Sequence, residues 1–143
     1  MLRRLLLIGS LPALLVTEAQ ILPLLAQTAP ERQQASLAGI KQAIVADTGY
    51  DAGAIELTAS AIQFVVTVVN SKLTGASGKE REAEAGRIVA AITRTIAGNA
   101  DFRTVQAIHV DYVSREQGST HSRTVDGIDF RKNPQGTFEH HIS

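Results

Sequence analysis

Cysteine is absent from all 143 residues. That removes disulfides, thiolate metal sites and cysteine nucleophiles together. It leaves export open, because a domain of this length can fold without covalent staples. An excess of either charge is also missing. Lys+Arg and Asp+Glu number 14 each, so no global field favours nucleic acid or an anionic membrane. No Gly-x-Ser-x-Gly elbow and no His-Glu-x-x-His helix occurs. Asn70, Asn99 and Asn133 lack a glycosylation pattern. Leucine nearly disappears after residue 26: ten of thirteen precede it, leaving Leu37, Leu57 and Leu73. The later core must therefore be built from valine, isoleucine and alanine.

Hydrophobic content of 44% and charge of 20% belong to an ordinary globular chain with room for one core. The leucine-rich start reads as a targeting segment. Arg3 and Arg4 precede an apolar run from Leu5 to Val16 that Pro12 breaks, and Thr17-Glu-Ala19 offers a small-x-small cleavage site. Residues 1–29 are expected to be a signal peptide. In the alternative they form an uncleaved membrane anchor, with Ile21 to Leu25 extending the run. The single α+β domain would then occupy residues 30–143, and its location would be periplasmic or secreted. A membrane is a partner only if the leader is retained.

Two helices follow from spacing. Thr28, Pro30 and Glu31 are start signals, Leu37, Ile40 and Ile44 recur at helical intervals, and Gly49 can end the helix. Ser77 and Glu80 make a capping box, Ala85, Ile88, Val89, Ile92 and Ile96 form a stripe, and Gly98-Asn99 stops it.

Between the helices lies Ile62 to Asn70, uncharged and crowded with β-branched residues, which suits a strand inside a sheet. Ile62, Phe64, Val66 and Val68 share one face. The preceding Ile55-Glu-Leu-Thr58 alternates in the opposite phase, so residues 55–70 are either one bulged strand or a tight hairpin. Val105 to Arg115 and Arg123 to Lys132 alternate as well, joined by turn chemistry at Gln117-Gly-Ser119. Pairing residue 115 with 123 places Val110 opposite Ile128 and Ile108 opposite Phe130. Asn133-Pro-Gln-Gly136 then turns into Phe138 to Ile142. A two-residue loop there would put apolar residues on opposite faces. A three-residue loop with Gly136 at positive φ, and Phe138 opposite Phe130, keeps them together. The expected fold is a two-layer α+β sandwich, with two helices on one face of a mixed sheet of three to five strands, in the order α-β(β)-α-β-β-β.

Several local patterns fail as motifs. Gly75-Ala-Ser-Gly-Lys79 would need its first glycine at Leu73 and a hydroxyl at Glu80 to be a phosphate loop, so it reads as a helix cap. Ser119, His121 and Asp126 are neighbours in a hairpin with no oxyanion hole, which argues against a triad. Arg131 and Lys132 read as a solvated turn, and His140 as a hydrogen-bonded structural histidine beside Phe138.

The sheet face away from the helices is the candidate site. The inferred register sets His109 opposite Asp129 and Asp111 opposite Gly127, and pairing of the tail would add Glu139 and His141. Such a set is chemically able to hold a divalent metal, although polar residues are also ordinary on the wet side of a sheet. Val65, Val69, Val113 and Val125 would make the same face partly apolar, which a purely solvated face does not need. The leading expectation is a small exported, non-catalytic domain that binds a protein partner or itself through Val65, Val69, His109, Asp111, Val113 and Val125, with no cofactor. The rival is a metal-dependent or acid–base enzyme using His109, Asp111 and Asp129. A deep cleft beside those residues would favour the enzyme; a flat face favours the binding module.

Overall fold

The computed structural model describes residues 28–142. The leader reading therefore lies outside the described residues, apart from Thr28 and Ala29. Helix α1 spans Ala29–Thr48. Its entry is held by Glu31, whose carboxylate accepts from the Thr28 backbone N–H at 2.7 Å, and Gly49 ends it at φ 74°. A short 3-10 turn at Ala52–Ala54 leads into strands β1 (Ile55–Ala59) and β2 (Gln63–Val69).

Helix α2 (Gly78–Ile96) starts at the Ser77–Glu80 capping box, with Ser77 N–H donating to Glu80 Oε2 at 2.9 Å. A second 3-10 turn at Ala100–Phe102 precedes β3 (Ala107–Arg115), β4 (Ser122–Lys132) and β5 (Phe138–His141). The five strands lie side by side in chain order. All neighbours are antiparallel except β2 and β3, which the α2 crossover makes parallel. This is the expected α+β architecture, with both helices packed on one face.

Opposite phases in β1 and β2 mean a hairpin rather than one bulged strand. Ile55 pairs with Val68, Leu57 with Val66 and Ala59 with Phe64, so the odd residues of β1 join the even residues of β2 beneath the helices. Ser60 makes the corner, its hydroxyl accepting from the Gln63 N–H at 3.1 Å. Ile62 is thereby left in the turn and is 61% exposed, contrary to the expectation that it starts the buried face. The core gathers Ile40 and Ile44 of α1, Ala85, Ile88 and Ile92 of α2, and Phe64, Val66, Val68, Ile108 and Val110 of the sheet, all fully buried. Phe64 also meets Phe102, ring centres 5.2 Å apart.

The β3–β4 register holds Ile108 opposite Phe130 and Val110 opposite Ile128 as expected, but slips after Tyr112. Arg115 faces Ser122 rather than Arg123, and Val125 is the extra residue. This β-bulge bends the strand where it leaves the helix layer. The β4–β5 loop has three residues with Gly136 at φ 85°, and Asn133 N–H bonds Thr137 O at 2.8 Å. The slip runs opposite to the expected one: Phe138 faces Lys132, and His140 faces Phe130. Parity is unchanged, so Phe138 still points to the core and is 9% exposed.

Candidate functional site

The outer face of the sheet is built by alternation along β2, β3 and β4. Its middle rows are Val65 beside His109 and Asp129, then Thr67 beside Asp111 and Gly127. His109 is held from both sides. Nδ1 lies 2.8 Å from Asp129 Oδ1, and Nε2 lies 2.9 Å from Asp111 Oδ1. An ionised carboxylate only accepts, so keeping both contacts takes a proton on each ring nitrogen, and the arrangement favours the protonated ring. Burial by itself would lower the imidazole's pKa; the hydrogen bonds from Asp129 and Asp111, with their charges, outweigh it and raise the value above the ordinary one.

Gly127 is what makes room for this arrangement. A Cβ there would lie 3.2 Å from His109 Cε1 and 3.3 Å from both Asp111 Oδ1 and His109 Nε2. Sequence reasoning placed Gly127 opposite Asp111 but gave it no role. The signal was available: a glycine inside a strand marks a close approach by another group.

The structure brings His109, Asp111 and Asp129 together and leaves the other two metal candidates apart. Glu139 faces Arg131 and accepts from Asn133 Nδ2 at 2.8 Å. His141 faces Asp129 across the ladder but is exposed. Among the described residues, no group of three or more His, Asp or Glu is arranged to hold a metal ion.

The valines divide. Val65 and Val69 are half-buried on the outer face. Val113 pairs with Val69 and is only 7% exposed. Nearby, Arg115 reaches across β2 to Glu56 of β1, with Nη1 2.6 Å from Oε1. Val125 does not belong to this face: as the residue added by the bulge it packs against the helix-side core. The apolar patch is therefore narrower than expected.

Other candidates resolve as structural. Asp126 leaves His121 and Ser119 to bind Arg81, 2.7 Å from its Nε. His140 is hydrogen-bonded, its Nδ1 2.7 Å from Glu82 Oε1, but it is exposed. Of the concavities at Ala38–Ala52, along α2 and β4–β5, and at the β3–β4 turn, none is lined by His109, Asp111 or Asp129.

One buried carboxyl group was not singled out from the sequence. Glu84 of α2 is fully buried, with Oε1 accepting from Tyr50 OH at 2.9 Å. Ser71 Oγ is hydrogen-bonded to the same phenol. Glu84 Oε2 has no hydrogen-bond partner, and the Arg87 guanidinium lies 3.8 Å from it. A run of Glu80, Glu82 and Glu84 on a capped helix hides which one turns inward.

No protein-family model and no curated protein matches this chain, so its reading rests on the geometry of its own residues.

Proposed function

We propose that this is a non-catalytic α+β interaction module that engages a protein partner, or a second copy of itself, through the outer face of β2 and β3. One observation carries the reading. Both helices pack on the same side of the sheet, and the opposite face of its central strands is left with Val65, Thr67 and Val69 half-buried beside a fixed His109–Asp111–Asp129 cluster. A sheet surface mixing apolar and charged groups, outside the concavities described above, suits recognition more than chemistry. The acid–base alternative has less support, because none of the concavities described above is lined by His109, Asp111 or Asp129.

Export to the periplasm or the medium is part of this proposal and is motivated by the leader-like pattern of residues 1–29. No helix among the described residues is long and apolar enough to cross a membrane.

Val65→Asp puts a charge in the middle of the face and leaves the core untouched. The variant should keep the parent's thermal midpoint within a few degrees and lose association, read as native mass by light scattering and as capture of a partner from the source organism's envelope fraction. Unchanged association in both readings would sink the proposal. Val113→Asp is unsuitable here, because a residue 7% exposed tests folding instead.

A further inference from the structure

We infer that the groove between α2 and the β4–β5 hairpin is a binding site for a single-chain anionic amphiphile of the fatty-carboxylate class. Three adjoining concavities of about 550, 550 and 340 Å³ run along it. The first two share Thr93, Ala97 and Phe138, and the last two share Gly86 and Phe130. They adjoin as one open groove, with the helix on one side and the edges of Phe130 and Phe138 on the other. From Gly86 to Ala97 the helix rises about 16 Å, the reach of a medium-length acyl chain.

The ends differ in charge. At the Ala97 end the lining includes Lys132 and Arg103, and the Lys132 ammonium stands over the Phe138 ring, 5.2 Å from its centre. At the other end, Glu82 Oε1, 2.7 Å from His140 Nδ1, stands beside Lys79. Arg94 borders the middle but is paired with Asp47 at 2.7 Å. An anionic head thus finds Lys132 and Arg103 together at the Ala97 end, whereas Arg94 in the middle is engaged by Asp47 and Lys79 at the far end shares its place with the Glu82 carboxylate.

The middle of the groove also separates a hydrocarbon chain from a peptide. The amides of α2 are spent within the helix, and the Thr93 hydroxyl donates to Val89 O at 2.8 Å. Only Thr137 at the rim adds a hydroxyl. A peptide would find main-chain partners only along the open edge of β5 at the rim, whereas methylenes gain from every apolar contact along the middle.

Gly86 supplies the test, because a Cβ added there meets nothing within 4 Å. Gly86→Leu should fill the groove and spare the fold, since leucine favours helix over glycine. Titration calorimetry with dodecanoate below its micelle concentration is expected to show one saturable site on the parent domain. Affinity should fall at least tenfold in Gly86→Leu with the thermal midpoint held or raised. Lys132→Glu should weaken dodecanoate by a similar factor while leaving dodecanol binding unchanged. Absence of a saturable site overturns the inference. So does equal affinity in Gly86→Leu, or dodecyltrimethylammonium binding as tightly as dodecanoate.

Discussion

A methyl group on Gly127 would lie 3.2 Å from Cε1 of His109; the strand opposite the imidazole is hollowed at one position, and the ring fills the hollow. The ring cannot easily retreat, because it is tied at both nitrogens. Gly127→Ala should therefore cost about 1–3 kcal/mol in urea denaturation, the usual range for overpacking. In a His109→Ala background the same change should cost little. A double-mutant cycle would show coupling between the two sites; additive effects would mean the ring is free to move.

His109 also fixes a direction for pH dependence. Its folded pKa is raised above the ordinary value of 6.5, so the folded state binds this proton more tightly than the unfolded chain does. The resulting stabilisation is fully present below about pH 6.5 and is lost as pH rises through the elevated folded value. The ring is partly exposed, which keeps the effect modest. The His109 ring resonances should titrate above 6.5 by NMR. In His109→Gln, stability should lose the part of its decline that sets in above about pH 6.5, and an unchanged profile would place the titration elsewhere.

Glu84 tests the buried carboxyl group. Tyr50→Phe removes the donor to Glu84 Oε1, leaving a buried carboxyl group with less compensation, and should destabilise by about 1–3 kcal/mol. Tyr50→Phe combined with Glu84→Leu removes the carboxyl group along with its partner. It should be closer to the parent than Tyr50→Phe alone, as replacement of buried polar pairs by apolar groups often is. Chemical denaturation of the three proteins gives the comparison; a double variant less stable than Tyr50→Phe would show that Glu84 contributes beyond its bond to Tyr50.

What was legible from the sequence follows from periodicity. Phe64, Val66 and Val68 alternate too strictly to be anything but a buried strand face, and the apolar pairs Ile108–Phe130 and Val110–Ile128 admit one register. Capping chemistry marked the starts of both helices at Thr28 and Ser77. What failed was local geometry that alternation does not encode. A bulge at Val125 leaves the pattern of Arg123 to Asp126 unaltered while moving its neighbours by one. The β5 offset preserves parity, so hydrophobicity alone cannot choose between Phe130 and Lys132 as the partner of Phe138. The site was half visible. Register brought His109 to Asp129, but only side-chain geometry reveals that Asp111, two residues along the same strand, takes the second nitrogen.

The lone parallel pair, β2 with β3, has a consequence for the order in which the domain assembles. Hairpins β1–β2 and β3–β4–β5 each close over a short turn and need little loop entropy to form. Joining them requires the whole of α2 to be in place, since Phe64 meets Ile108 and Val66 meets Val110 only across that crossover. Non-local contacts of this kind set the speed of folding. Docking of the two locally formed halves against one helix is therefore the step expected to limit folding, and substitutions that raise the helicity of α2 should speed it in stopped-flow refolding.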